Sequence, residues 1–259
     1  SATNDGGAGM AQALGVKFTD RRGQPCAGGL AGGGLSAVAA IDLDGRDKRL
    51  NDVELLVACD VDNPLTGEEG AARTYAPQKG ANESQVEQLD EALGHLASLI
   101  DHVDPRTPGA GAAGGLGFGL IAFAGAKLTS GIDLVLDAVD FDARLRDADL
   151  CLTGEGKLDG QSLRGKAVGG VVRAAGKHDV PVIAVAGTVD AAANRLLDEG
   201  LLAAISICRG PVSLDTARRN AAELLEAATM SVVRAFVGGR GGWTVVKSEV
   251  QIKSRGMND

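Results

Sequence analysis

The sequence predicts an α/β protein built on a doubly wound parallel sheet. Short apolar runs at 148–153, 180–186 and 203–208 alternate with helix-like segments through the C-terminal half. This alternation is typical of βαβ units, whose parallel strands are covered by helices on both faces. In the other half, a stripe of large apolar residues at helical spacing predicts a helix over 83–100, with Asn82 as its cap.

Further elements follow from the same patterns. Residues 8–14 predict a short helix with Asn4 or Asp5 as cap and Gly15 just after its end. The nearly continuous apolar run at 53–59 predicts a buried parallel strand. A short apolar run at 133–139 predicts another strand, and the segment after Ser213 predicts one long helix. The alternation at 246–253 has the period of a strand, so the tail is expected either to add an edge strand or to remain disordered.

Composition excludes several classes of protein. The chain has 259 residues, 44% hydrophobic, and a net charge of -8 without a basic block, which excludes a nucleic-acid binder. The uncharged run 109–126 is so rich in glycine that it predicts a tightly packed helix and no membrane partner. Four widely spaced cysteines and the absence of a signal peptide indicate free thiols in a reducing cytoplasm.

The segment 153–166 is the strongest candidate for a functional loop. It reads Thr153-Gly-Glu-Gly-Lys-Leu-Asp-Gly-Gln-Ser-Leu-Arg-Gly-Lys166 and follows a predicted strand, where ligands bind in open parallel sheets. Glu155 and Asp159 are close enough in sequence to share magnesium binding and general-base duties, while Gln161 and Lys166 orient an anion. The alternative is a solvated charged loop.

Two glycine motifs in the chain are misleading. Residues 160–166 match GxxxxGK, but Ala167 lacks the hydroxyl that binds magnesium in a P-loop. Residues 109–114 match GxGxxG, but a segment with two prolines precedes them where a dinucleotide site needs a strand. The hypothesis of a nicotinamide-dependent dehydrogenase therefore rests on this one match. Close approach of backbone to a ligand or another helix explains these glycines better.

Five motifs in series resemble one family. They begin at Ser1 (Ser-Ala-Thr-Asn-Asp-Gly-Gly-Ala-Gly-Met), Ala58 (Ala-Cys-Asp-Val-Asp-Asn-Pro-Leu), Pro77 (Pro-Gln-Lys-Gly-Ala), Gly109 (Gly-Ala-Gly-Ala-Ala-Gly-Gly-Leu-Gly) and Thr153. In this order they resemble the bacterial type I glycerate kinases from Ser1 to about Val237. The resemblance implies ATP-dependent phosphorylation of D-glycerate to 2-phosphoglycerate, with ATP and Mg²⁺ as cofactors, in glyoxylate or related carbon metabolism.

The resemblance also leads to a set of expected site residues. Expected catalytic residues are Asp5, Glu155, Asp159 and Lys166, with Mg²⁺ held through ATP by Glu155 and Asp159. Expected substrate-binding residues are Ser1, Thr3, Asn4, Asp60, Asn63 and Gln161. Lys79, Gly111, Gly114 and Gly115 are expected to form a phosphate or nucleotide loop.

The family implies two α/β domains, one inserted in the other. We expect a flavodoxin-like domain from residues 1–15, 50–65 and 130–237, an inserted domain from 16–49 and 66–129, and a Gly-rich linker and tail at 238–259. Family members carry about a further N-terminal third that this chain lacks. The alternative is therefore an inactive remnant that binds only a small acid or a partner chain. A homodimer is a further expectation.

Overall fold

The computed structural model describes residues 3–26, 30–160, 162 and 167–239. The chain divides between Val135 and Leu136 into two compact units. Each unit combines helices with parallel strand pairs, which confirms the predicted α/β class. The assignment of residue ranges to a flavodoxin-like and an inserted domain remains a prediction.

The first unit contains two separate two-stranded sheets and packed helices. Its helices are α1 (Ala8–Ala13), α2 (Ala71–Tyr75), α3 (Glu83–Ser98), α4 (Ala112–Ala124) and α5 (Gly131–Ala138), the last of which runs across the division. Its strands are β1 (Lys17–Thr19), β2 (Ala40–Asp42), β3 (Leu56–Ala58) and β4 (Lys127–Thr129). Three 3₁₀ turns lie at Gly32–Ala37, Lys48–Asn51 and Pro77–Lys79. β1 pairs with β2 antiparallel, and β3 pairs with β4 in parallel.

The core of the first unit lies among these helices and β1. Phe18 of β1 meets Phe123 of α4 edge to face, with ring centroids 5.7 Å apart. Leu93 and Leu96 of α3 are completely buried in the same cluster. The predicted helix at 83–100 is confirmed, because Asn82 and Gln85 form a reciprocal capping box at its start.

The second unit is a three-layer arrangement. Its strands are β5 (Cys151–Thr153), β6 (Lys157–Leu158), β7 (Val182–Ala186), β8 (Thr188–Val189) and β9 (Leu201–Ser206). Its helices are α6 (Phe141–Leu145), α7 (Ala167–Gly176), α8 (Arg195–Asp198), α9 (Leu214–Arg219) and α10 (Ala221–Gly239), with a 3₁₀ turn at Ala191–Asn194. The main sheet is parallel in the order β5-β7-β9, and β6 pairs with β8 in parallel.

The central strand β7 shows why this unit has three layers. All five of its residues are buried. Val182 and Ala184 share a core with Val168 of α7, whereas Ile183 and Val185 share one with Ala228 and Val232 of α10. Because successive side chains of a strand point to opposite faces, the sheet is covered by helices on both faces, as predicted.

Three local predictions are wrong in whole or in part. The apolar run at 133–139 is helical, since α5 spans Gly131–Ala138 and the Asp60 carboxylate accepts a hydrogen bond from the Gly131 N–H at its start. The run at 53–59 does form a parallel strand, but Leu56 is 49% exposed, because within the described residues β3 pairs with β4 alone. The single helix expected after Ser213 is divided at Asn220 into α9 and α10.

Candidate functional site

Asn4 is the centre of the first group of predicted site residues. It is 5% exposed, and its backbone lies against two glycines from distant parts of the chain. A Cβ at Gly32 would come closer than 3.0 Å to the Asn4 carbonyl oxygen, and a Cβ at Gly114 would lie 2.6 Å from the Asn4 side-chain oxygen. Only residues without a side chain allow the Asn4 segment to pass at this distance.

Gly114 and Gly115 lie in a left-handed arch at the start of α4. Ala113, Gly114 and Gly115 have φ values of 51°, 75° and 87°. The Gly114 carbonyl accepts a hydrogen bond of 3.1 Å from the Gly6 N–H. Within the described residues, this arch therefore supports the chain around Asn4. Its predicted role as a phosphate loop remains a prediction.

Lys79 joins the same group. Its ammonium donates to the Thr3 carbonyl oxygen at 2.6 Å and to the Asn4 Oδ1 at 3.4 Å. Burial lowers the pKa of Lys79, and the nearby Asp5 carboxylate opposes that effect. We name Thr3, Asn4, Asp5, Lys79 and Gly114 the Asn4 cluster. The sequence had placed Lys79 and Gly114 in a different loop from Thr3 and Asn4, and the fold brings them together.

The Asn4 side chain has one donor without a partner. Its Nδ2 is buried and makes no hydrogen bond to the described residues, while its Oδ1 accepts from Lys79. An unsatisfied buried donor costs about 1–3 kcal/mol, and such groups often serve binding. The Asn4 amide can therefore donate to an oxygen of a bound ligand.

Asp5 has a structural task in this arrangement. Its carboxylate accepts hydrogen bonds from the N–H groups of Gly7, at 3.2 Å, and Gly9, at 3.1 Å, and from the Thr3 hydroxyl at 3.3 Å. The predicted cap position is wrong, because Gly7 is the N-cap residue of α1, but the Asp5 carboxylate still binds the Gly9 N–H in the first turn. Its catalytic role remains a prediction.

Asp60 and Asn63 follow β3, and each anchors a different loop. Asp60 accepts from the Gly131 N–H at 2.8 Å. The Asn63 side chain donates to the Glu69 carbonyl at 2.7 Å and accepts from the Tyr75 hydroxyl at 2.7 Å. Neither side chain hydrogen-bonds to Asn4 or Lys79 among the residues that the structure describes.

Asn63 is also linked to the remaining predicted glycine. The Gly111 N–H donates to the Asn63 carbonyl at 2.9 Å, and a Cβ on Gly111 would collide with the Pro64 carbonyl. Gly111 thus lies against the loop after β3, whereas Gly114 lies against Thr3 and Asn4.

The second group of predicted residues lies in the second unit, in the segment after β5, with Glu155 before the short strand β6 and Asp159 after it. The Ser162 hydroxyl donates to the Glu155 carboxylate and accepts from the Asp159 N–H at 3.1 Å. The Ser162 N–H in turn donates to the Asp159 carbonyl at 3.0 Å, and Ser162 is completely buried. One serine therefore fixes the positions of both predicted carboxylate residues, and we name these three residues the carboxylate loop.

Ser162 is the functional-site residue that sequence reasoning missed. The spacing of Asp159 and Ser162 is the signal that could have revealed it, since a serine hydroxyl three residues on can close such a turn. Lys157 forms a further contact, with its ammonium 3.6 Å from the Asp159 carboxylate. The predicted residues Ser1, Gln161 and Lys166 lie outside the described residues.

Glycines also determine the backbone beside the carboxylate loop. Gly154 follows β5 and Gly187 follows β7, and a Cβ on either would come closer than 3.0 Å to a carbonyl of the neighbouring chain segment. The Gly187 N–H donates to the Glu155 carbonyl at 3.2 Å. The carboxylate loop is thereby fastened at the carboxyl ends of two parallel strands, where ligands bind in such sheets.

The described residues contain no group of three or more His, Cys, Asp or Glu side chains that could hold a metal ion. Glu155 and Asp159 nevertheless fit a magnesium ion that arrives with a nucleotide, because such an ion takes one or two carboxylates and completes its ligands with phosphate oxygens and water. None of the helices in the described ranges is long and apolar enough to span a membrane.

The fold is that of an α/β protein, and the carboxylate-loop residues follow the parallel strand β5. The chain belongs to the glycerate kinase family, whose family model matches residues 1–237. This confirms the resemblance recognised from the five motifs.

Curated relatives and a solved structure agree. The chain is 48% identical over 236 residues to a glycerate kinase of Halalkalibacterium halodurans, covering 90% of this chain and 62% of that protein. It is 43% identical over 243 residues to glycerate 2-kinase of Escherichia coli, covering 92% of this chain and 63% of that protein. A crystal structure from Salmonella typhimurium LT2, assigned as glycerate kinase 2, matches with a TM-score of 0.74 and 44% identity over 93% of this chain and 63% of that one. The chain thus spans a little under two thirds of the length of these relatives.

Proposed function

We propose that the chain acts in the ATP-dependent phosphorylation of D-glycerate, with 2-phosphoglycerate and ADP as products. The observation that carries the proposal is the family membership of a chain that retains both the Asn4 cluster and the carboxylate loop. The names of the relatives support glycerate as the substrate.

The Asn4 cluster is suited to the acceptor. Glycerate carries a carboxylate and two hydroxyl groups, so it needs donors for its oxygens and one positive charge. The Asn4 Nδ2 is a buried donor without a partner in the described residues, and the Lys79 ammonium lies within hydrogen-bonding distance of the same side chain. We assign acceptor binding to Asn4 and Lys79, and positioning of the Asn4 segment to Asp5 and Gly114. Ser1, Thr3, Asp60 and Asn63 remain predicted contributors.

The carboxylate loop is suited to accepting a proton and to binding a metal ion. Glycerate becomes a nucleophile when its 2-hydroxyl loses a proton as its oxygen bonds to the γ-phosphorus, while the bond from that phosphorus to the leaving ADP oxygen breaks. Glu155 or Asp159 accepts that proton. Glu155 and Asp159 would also hold a Mg²⁺ ion that arrives with ATP, and this ion would neutralise part of the phosphate charge. The buried Ser162 holds the Glu155 carboxylate and the Asp159 backbone in place.

The proposal extends to the setting of the reaction. The four cysteines are free thiols, which fits a reducing cytoplasm. Glyoxylate or related carbon metabolism is the expected context. A homodimer remains a prediction, to be checked by light scattering after size exclusion.

The experiment is a coupled assay of ADP release with and without D-glycerate. We expect ADP release to depend on glycerate, and ³¹P NMR to place the new phosphate on the 2-hydroxyl oxygen. Lys79→Met should raise the KM for glycerate about 10-fold or more, because a charge-assisted hydrogen bond is lost. Lys48→Met, an exposed lysine on a 3₁₀ turn, is the matched control and should leave it unchanged.

Asp159→Asn tests the carboxylate loop in the same assay. We expect a fall in kcat of roughly 100-fold, the lower range for loss of a general base. Asp198→Asn, on the exposed surface of α8, is its control. Unchanged turnover of Asp159→Asn would remove Asp159 from the mechanism. A signal that is flat with and without glycerate would favour the alternative, a remnant that binds a small acid or a partner chain.

A further inference from the structure

A cavity of about 950 Å³ lies in the second unit at the carboxyl end of the main sheet. Val185 of β7 and Ile207, just after β9, line it from the strands. Leu214, Ala217, Ala221 and Leu225 line it from α9 and α10. Residues 154–157 complete it, so the cavity shares Glu155 with the carboxylate loop. We name it the strand-end cavity.

The size and lining of the strand-end cavity distinguish between the two proposed substrates. Cavities of roughly 300–1,000 Å³ enclose ligands much larger than a three-carbon acid. Val185, Ile207, Leu214 and Leu225 are aliphatic, and an anion placed against these four side chains would lose its hydration without gaining partners. A flat heteroaromatic base, by contrast, buries two apolar faces against such side chains.

The exposure of the aliphatic side chains in the strand-end cavity supports the presence of a ligand site there. Leu214 is 63% exposed and Leu225 is 47% exposed, although both belong to helices of a unit whose core is already formed. Exposed aliphatic groups rimmed by polar residues are typical of ligand-binding grooves and of partner interfaces.

Charged groups at the strand-end cavity are suited to phosphates. Lys157 and Arg218 both line it. The Arg218 guanidinium forms no ion pair or hydrogen bond with any residue in the described ranges, so its donors are available to an anion. Glu155 belongs to the loop to which we assign magnesium binding. The cavity therefore combines an aliphatic surface with groups that bind a phosphate chain and its metal.

We propose that the strand-end cavity binds the purine nucleoside of ATP, with Arg218 contacting the phosphates. This inference rests on the proposed kinase function and deepens it, because it assigns nucleotide recognition to β7, β9, α9 and α10. Glycerate recognition stays with the Asn4 cluster.

The test measures binding of ADP and of inorganic tripolyphosphate, each with Mg²⁺, by isothermal titration calorimetry on the chain. Ala221→Phe fills the cavity, and Ala222→Phe is its matched control, since both residues are exposed on α10 but only Ala221 lines the cavity. We expect Ala221→Phe to weaken ADP binding about 10-fold or more and to leave tripolyphosphate binding within about 2-fold, because only ADP has a base to exclude. Ala222→Phe should change neither.

Arg218→Ala and Arg219→Ala form a second matched pair, adjacent on α9 with only Arg218 at the cavity. Arg218→Ala should weaken both ligands by roughly 10-fold, because it removes a charged donor to phosphate. Arg219→Ala should weaken neither. Circular dichroism checks that each variant keeps the native helix content.

The outcomes separate this inference from the proposed function. Equal ADP affinity of the Ala221→Phe and Ala222→Phe variants, with glycerate-dependent ADP release intact, overturns the nucleoside site and leaves the kinase proposal standing. If Ala221→Phe weakens ADP binding but the chain shows no glycerate-dependent turnover, the nucleoside site is supported and glycerate is overturned as the acceptor. Absence of ADP binding to the unsubstituted chain overturns both.

Discussion

Replacing Gly114 with alanine tests whether the left-handed arch positions Asn4. An alanine at φ 75° costs about 1–2 kcal/mol in backbone strain. Its Cβ would also lie 2.6 Å from the Asn4 Oδ1 and closer than 3.0 Å to the Thr3 carbonyl, so the Asn4 segment has to move. That movement breaks the hydrogen bond from Gly6 to Gly114, which contributes about 1 kcal/mol. We therefore expect a total loss of about 3 kcal/mol.

Gly125→Ala is the matched control for this prediction. Gly125 ends the same helix with φ 69°, but a Cβ there would meet nothing within 4 Å. Gly125→Ala should lower the free energy of unfolding by the backbone strain alone, about 1–2 kcal/mol. At about 2–4 °C per kcal/mol for a chain of this size, Gly114→Ala should lower the Tm by roughly 6–12 °C and Gly125→Ala by roughly 2–8 °C.

Thermal unfolding followed by far-UV circular dichroism measures the two Tm values. Hydrogen exchange then locates the change, since the Gly6 amide should lose protection in Gly114→Ala and keep it in Gly125→Ala. Equal Tm values for the two variants, with the Gly6 amide equally protected in both, would refute the steric argument for the Asn4 cluster.

Three further predictions concern other parts of the chain. Ser162→Ala should lower the free energy of unfolding by about 1–3 kcal/mol, because the partly buried Glu155 carboxylate and Asp159 N–H lose their hydrogen bonds to a buried residue. Ser98→Ala, at an exposed position, should change it by less than about 0.5 kcal/mol. Urea titration measures both. Asn82→Ala should cost about 1 kcal/mol through loss of the α3 capping box, seen in the same titration. Hydrogen bonds from Arg49 lower the pKa of Asp47 to about 2, so the ion pair stabilises the fold above pH 3.8 and is lost as the pH falls through about 2. NMR titration should show this pKa, and Arg49→Gln should return it toward 3.8.

Local sequence signals predicted the elements whose stabilising contacts are themselves local. The capping box of α3 lies within four consecutive residues, so its start was predictable from Asn82 onward. β7 was predictable because a strand buried on both faces must be apolar throughout. The strand predicted at 133–139 was wrong for the opposite reason. Its apolar residues fit both the helical and the strand period, and the helix is capped by the Asp60 carboxylate, which is far away in sequence.

The candidate site shows the same division. The motif around Glu155 and Asp159 predicted both carboxylates on one loop after a strand. They do follow β5, but the short strand β6 lies between them. The sequence did not reveal the role of Ser162, because its spacing from Asp159 becomes distinctive only once the burial of Ser162 is known. Gly111 and Gly114 share one motif, yet they contact different loops.

By itself, the sequence determined the α/β class through its periodicity and the family through its five ordered motifs. It also excluded a P-loop and a dinucleotide site, because positions that these motifs require are missing. Only the tertiary structure decided that Lys79 binds the Asn4 segment, that Gly32 and Gly114 enclose it, and that an aliphatic cavity adjoins Glu155. The physical reason is that these contacts depend on close packing between segments far apart in the chain, and packing distances of a few ångströms leave no periodic trace in sequence.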